Sequence, residues 1–151
     1  MNDHVESSFA AAALAPKHSY RALLERYGLR ATRQRLGLAR LLFAKGNRHV
    51  TADALAAEAG ALKTQASLAT IYNVLNLFAE VGIVRALAIE GNKTVFDTNS
   101  KDHSHFYFED TGNIEDIFLD RAGIIDEIMA PQGYEIAKID IVVRLRPKKG
   151  G

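Results

Sequence analysis

The chain has 151 residues, 48% of them hydrophobic, a net charge of only +1 and no cysteine. That length holds one domain or two very small ones, and the composition supports a real core rather than a disordered chain. Lack of Cys excludes disulfides, thiolate zinc sites and cysteine catalysis, and no apolar run reaches bilayer-spanning length, so the expectation is a cytoplasmic protein with no membrane partner.

Residues 1–18 read as a flexible N-terminal tail. Its apolar stretch Phe9–Ala15 follows Asp3 and Glu6 rather than Lys or Arg, a poor secretory leader. His4 and His18 in this tail read as solvated and uninvolved. Tyr20, Leu23, Leu24 and Tyr27 then recur at helical spacing before Gly28. Thr32 is placed to cap a second helix running toward Gly46, with Leu38, Leu41 and Leu42 on one face. Thr51 caps a third helix ending near Gly60. A fourth starts at Ser67 and stops at Gly82, with Leu68, Ile71, Leu75 and Phe78 as its apolar stripe. "IVRALAIE" and "KTVFDTN" flank Gly91-Asn92, a hairpin signal. "HFYFED" and "IEDIFLD" read as strands joined across Thr111-Gly112-Asn113. "GIIDEIMAPQG" reads as a short helix stopped by Pro131. In "YEIAKIDIVVRLRPKKG", Ile139, Ile141, Val143 and Leu145 point one way and Lys138, Asp140, Arg144 and Arg146 the other, a half-buried strand.

The predicted fold class is therefore α+β. An N-terminal winged helix-turn-helix occupies residues 19–98, a polar hinge 99–102, and a small α+β unit 103–148. Charge divides along similar lines. Residues 1–82 hold ten Lys/Arg against six Asp/Glu; residues 83–151 hold nine against twelve. Between Arg26 and Arg48 stand seven basic residues and no acidic one. Such a block is usually a solvated face; the alternative is a surface for nucleic acid phosphates. The fourth helix favours that alternative. Its front carries Ser67, Ala69, Thr70, Tyr72 and Asn73, side chains suited to a major groove. Ala69 and Tyr72 suit thymine methyls, Asn73 a base edge, and Ser67 or Thr70 a phosphate. Arg30, Arg33 and Arg35 surround the start of the second helix, where dipole and charge both favour phosphate.

"KDHSHFYFED" places His103 and His105 two residues apart ahead of an aromatic run. In a strand, His103, His105 and Tyr107 share a face, and two neutral imidazoles there can chelate one ion. Alone, the pair reads more simply as a polar approach to a strand. Glu109, Asp110, Glu115 and Asp116 read as a solvated acidic edge.

The motifs "GLRATRQR", "RHVTADAL", "SLATIYNVLNLFAEVGIV", "GNKTVFDT" and "DHSHFYFED", in this order, resemble the ferric uptake regulator family from about Leu23 to Arg146. "LLFAKGNRH", "FDTN", "DHSHFYFE" and "IDIVVRLRPKK" are similar to its iron response regulator branch in alphaproteobacteria. The resemblance implies an iron- or haem-responsive transcriptional regulator of iron and haem metabolism genes, not an enzyme. It implies a homodimer or higher oligomer joined through the 103–148 unit. Double-stranded DNA with an AT-rich inverted repeat is the implied partner, and a haem-delivering protein a further one. It also implies a hinge metal site of His49, Asp97, His103 and His105, holding one divalent ion (iron, manganese or zinc) per subunit. If haem binds, His103 and His105 are the axial-ligand candidates. Phe108 and Thr111 stand where many members carry a Cys-x-x-Cys pair, so a structural zinc held by four cysteines is not expected. Asp102, Ser104 and Ile139-Asp140 depart from the pattern of a further family site, which is lost or rebuilt. Two other readings stay open: a mononuclear iron protein using His103, His105 and Asp97, and a winged-helix regulator without a working sensor site.

Overall fold

The computed structural model describes residues 18–61, 66–90 and 93–150. The tail residues 1–17, His4 among them, and the Gly91-Asn92 turn lie outside the described residues. The chain divides into two compact units, with the boundary between Ser100 and Lys101.

The first unit runs α1 (His18–Arg26), α2 (Arg33–Phe43), β1 (His49–Val50), α3 (Ala52–Ala61), α4 (Leu68–Val81), β2 (Arg85–Glu90) and β3 (Lys93–Asp97). The helix starts obey their local chemistry. Thr32 is extended, and its Oγ1 accepts the Arg35 N–H at 3.3 Å. Thr51 Oγ1 accepts the Ala54 N–H at 3.1 Å, and Ser67 Oγ accepts the Thr70 N–H at 3.1 Å. Each cap satisfies a donor that the first helical turn leaves unpaired. α4 ends at Gly82, which adopts the left-handed φ of 90°. The next amide, Ile83 N–H, returns to the Phe78 carbonyl at 2.8 Å, a Schellman-type ending.

The helices close over Leu24, Leu38, Leu42, Leu55, Ile71, Leu75 and Phe78, all fully buried. Removing such a side chain from water contributes about 1.5–3 kcal/mol. Leu68, expected in the α4 stripe, is instead 42% exposed. It is the first residue of the helix and lies ahead of the turn that covers the core. β2 and β3 pair antiparallel, as the hairpin signal required, with Leu87 and Val95 paired and both buried. A third strand that sequence periodicity did not reveal, β1, joins the far side of β3 and gives the order β1-β3-β2. Two residues are too few for any alternation to register.

The second unit contains β4 (Ser104–Phe108), β5 (Ile114–Ile117), α5 (Ala122–Asp126) and β6 (Val142–Leu145). β4 is central, antiparallel to β5 and parallel to β6. The predicted last strand is shorter than its alternation suggested. β4 has five residues, and β6 pairs only from His105↔Val142 to Phe108↔Leu145. Residues before Ile141 have no ladder to join, and Tyr134 remains 77% exposed. α5 is also short and ends well before Pro131, so the proline is not its stop. Its apolar Ile124 and Ile125 are exposed, so packing does not extend it.

Candidate metal centre and nucleic-acid interface

In the first unit, register sets one pair of donors. β1 pairs with β3 so that His49 lies directly opposite Asp97. His49 Nε2 stands 3.1 Å from Asp97 Oδ2. Asp97 is fully buried, and its other oxygen accepts the Asn99 N–H at 2.9 Å. Arg48 braces the strand that carries His49. It exchanges bonds with Thr98: Arg48 N–H donates to Thr98 Oγ1 at 2.8 Å, and Thr98 N–H donates to the Arg48 carbonyl at 3.0 Å. Its guanidinium donates to both Glu58 carboxylate oxygens and to the Leu41 carbonyl. The hydrogen bonds from Arg48 hold the Glu58 carboxyl below its usual pKa of 4.5, assisted by the charges of Arg48 and Lys45, against a smaller opposing effect of burial. Arg48 thus leaves the run of free surface cations in which the sequence placed it.

In the second unit, register sets another group of donors. β4 and β5 pair with His105 opposite Asp116. Asp116 Oδ1 lies 3.0 Å from His103 Nε2 and 3.3 Å from His105 Nε2. The two imidazole rings have centroids 4.3 Å apart, as the shared strand face required. Both histidines are buried, at 2% and 1% exposure. Sequence reasoning missed Asp116 by grouping it with a solvated acidic edge. The signal available was alternation along "IEDIF", which sends Asp116 to the opposite face from its neighbour Glu115.

Tautomers sharpen the chemistry of this group. His103 Nδ1 lies 2.6 Å from the Lys101 carbonyl oxygen, which can only accept, so Nδ1 carries the proton. A neutral His103 then points the lone pair of Nε2 at a carboxylate oxygen. Two such atoms 3.0 Å apart need a proton or a cation between them. A backbone carbonyl bonded to the far nitrogen is the usual arrangement of a metal-ligating histidine. Ligand atoms sharing one ion at ~2.1 Å stand roughly 3–3.5 Å apart, the spacing found here. His103, His105 and Asp116 each offer one ligand atom, and these atoms lie within 4.8 Å of one another. The donor set therefore fits a divalent ion of the borderline class.

The predicted DNA-reading residues stand at one end of α4 and around the start of α2. Ser67, Ala69 and Asn73 are exposed; Thr70 and Tyr72 are half-buried. Ser67 Oγ is committed to the cap and to Thr70 Oγ1 at 2.9 Å, so its hydroxyl is already engaged. Tyr72 also packs against the core, so only part of its ring faces outward. Arg30 and Arg33 are exposed, while Arg35 Nη1 donates to the Arg30 carbonyl at 3.0 Å.

The profile of the Ferric uptake regulator family matches residues 26–144. The Ferric uptake regulation protein of Shigella flexneri is 37% identical over 116 residues, covering 76% of this chain and 74% of that one. The peroxide-responsive repressor PerR of Staphylococcus epidermidis is 32% identical over 107 residues, covering 71% of each. Among solved structures, the ferric uptake regulator of Pseudomonas aeruginosa with manganese superposes with a TM-score of 0.68 at 26% identity, over 86% of this chain and 98% of that one. The Vibrio cholerae ferric uptake regulator, described with DNA-binding domains, gives 0.68 at 27% identity, over 84% of this chain and 98% of that one. With a helical unit carrying a three-stranded wing, a second α+β unit and histidine–carboxylate donors in both, the chain belongs to the Ferric uptake regulator family of metal-responsive transcriptional regulators.

Proposed function

We propose that this protein is an iron-responsive, DNA-binding dimer of the iron response regulator branch, controlled by one divalent ion held by His49, Asp97, His103 and His105, with Asp116 as a further ligand. The observation that carries this reading is the His103 ring. Its Nδ1–H is bonded to the Lys101 carbonyl and its Nε2 is aimed at Asp116. Each unit contributes donors already brought together by strand pairing, and only six positions separate Asp97 from His103. An ion engaging both sets favours one arrangement of the two units, and so one spacing of the paired α4 helices on duplex DNA. Arg30, Arg33 and Thr70 serve the phosphates; Ala69, Tyr72 and Asn73 read an AT-rich inverted repeat.

The geometry favours a bare ion over haem at the histidine pair. Both Nε2 atoms converge on one carboxylate oxygen. No flat macrocycle passes between rings 4.3 Å apart, so they cannot serve as the two axial ligands of one haem. Haem taken up from a delivering protein would use one of them at most. The test is fluorescence anisotropy of a labelled inverted-repeat duplex, with protein that is metal-free, loaded with Mn(II), Zn(II) or Fe(II), or mixed with haem. Metal-dependent affinity for the repeat over random duplex is expected. Equal affinity for repeat and random DNA in every state would remove the regulator reading. A response to haem alone would move the effector from the ion to haem.

A further inference from the structure

Arg48 stands where the ligand strand, α2 and α3 meet. It directly precedes His49, and its main-chain partner Thr98 directly follows Asp97, so the two abut the donors of the first unit. Thr98 is fully buried and bonds both main-chain groups of Arg48. Its Oγ1 accepts the Arg48 N–H, and its N–H and Oγ1 both donate to the Arg48 carbonyl, at 3.0 and 3.3 Å. These bonds hold the register of His49 against Asp97. The guanidinium reaches elsewhere, to the Leu41 carbonyl in α2 and to both carboxylate oxygens of Glu58 in α3. A forked contact of this kind fixes direction as well as distance. The two side chains are only 18% and 28% exposed, so salt screens the pair less than one at the open surface.

The place of Glu58 in its helix gives the fork a further role. β1 leads into α3 almost at once, since the cap Thr51 is two positions beyond His49. A helix tied only at its first residue is free to pivot about that point. Glu58 lies seven positions past Thr51, about 10 Å along the helix axis, and the Arg48 fork ties it back to the ligand strand. α3 in turn packs against α4, with Leu55 and Ala59 buried in the shared core.

We propose that Arg48 is a positioning residue that joins the ion site to the DNA-reading helix: through Glu58 it makes β1 and α3 move as one body, so that a shift of His49 toward an ion is passed to α3 and on to α4. This rests on the reading of His49 and Asp97 as ligands of a regulating ion. Arg48 itself touches neither ion nor DNA. Without the fork, α3 pivots at Thr51 and absorbs the movement of the strand. Ion and duplex then still bind, but each loses its effect on the other. A fork that served stability alone would leave that mutual effect unchanged.

The quantity to measure is the factor by which Mn(II) changes the affinity of the full chain for the inverted-repeat duplex, read by fluorescence anisotropy. Such factors are typically about 5–150. Glu58→Gln keeps the size of the side chain but loses the charged fork, and should bring the factor closer to one by about threefold or more. Arg48→Gln should do the same, and the double variant no more than either alone, because both remove one tie. Loss of an acid or a cation changes duplex affinity with and without the ion alike, so charge by itself cancels in the factor. Reciprocity requires the effect of duplex on Mn(II) affinity, read by calorimetry, to shrink equally. A wild-type factor in folded Glu58→Gln, or effects that simply add in the double variant, would overturn the proposal. If Arg48→Gln fails to fold, Glu58→Gln decides. A factor of one in the unsubstituted protein would remove the regulatory reading itself and this inference with it, an outcome seen before any substitution is made.

Discussion

At the scale of single residues, the centre of interest is a hydrogen bond to a main-chain carbonyl. With the His103 proton held on Nδ1 by the Lys101 carbonyl, a neutral imidazole presents Nε2, 3.0 Å from Asp116 Oδ1, as an acceptor able to ligate an ion. Asp116→Asn keeps the shape of the carboxylate but removes its charge. Calorimetric titration with Mn(II) or Zn(II) should show affinity lowered by about 10–100-fold, the range typical of such partners. Unchanged affinity would return Asp116 to the solvated edge. A second residue-scale expectation concerns Glu58. Its folded pKa lies below 4.5, held there by Arg48. A depressed carboxylate stabilises the fold above the unfolded pKa, and that contribution is lost as pH falls through the folded value. Glu58→Gln should therefore flatten the stability profile between neutral pH and the acid side of pH 4.5. Denaturant midpoints measured across that range would show the difference, and parallel profiles would argue against it.

At the scale of elements, helices were more legible than strands. Thr32, Thr51 and Ser67 cap their helices as their positions in the sequence imply, because a cap is a contact within four residues. Gly82 stops α4 for an equally local reason. Gly82→Ala places a Cβ at φ 90°, and thermal melts should register a loss of about 1–2 kcal/mol. A smaller loss would mean that the chain relaxes out of the left-handed region. Strand limits, by contrast, depend on partners remote in sequence. β6 stops where β4 offers nothing further to pair with, although its alternation continues to Ile139. β1 exists because β3 has a free edge, and nothing in "HV" announces it. The candidate site divides in the same way. The two-residue spacing of His103 and His105 put both on one face but alone read as a polar approach to a strand; the set His49, Asp97, His103 and His105 came from family resemblance. Asp116 follows from the β4–β5 register, which the turn Thr111-Gly112-Asn113 sets and composition does not.

At the scale of the whole molecule, the basic surface of the first unit acts collectively. Under the proposed reading, Arg30 and Arg33 in each of two subunits make roughly four phosphate contacts, for which affinity falls about 10²-fold between roughly 50 and 200 mM salt. Arg33→Ala should weaken binding to all sequences and reduce that salt slope by about 1 per subunit. Arg48→Ala should leave the slope alone, because its guanidinium is engaged by Glu58 and Leu41. It should instead cost about 1.5–3 kcal/mol of stability, the usual worth of hydrogen bonds to a charged group. Anisotropy titrations at several salt concentrations separate the two arginines. Equal slopes for Arg33→Ala and wild type would remove Arg33 from the phosphate-binding set.

The short run between Asp97 and His103 has a consequence for sensitivity. Under the proposed shared site, each unit alone offers two or three donors, so each alone is a weak chelator. What one donor set adds to the other depends on the effective concentration at which the chain presents it. That concentration is governed by tether length, falling by roughly the −3/2 power as a tether grows beyond its span. Glycine insertions after Ser100 would then shift the ion level at which the regulator switches while leaving every ligand in place. The detection threshold would thus be written in the length of the connection, and lineages could retune it without altering the donors.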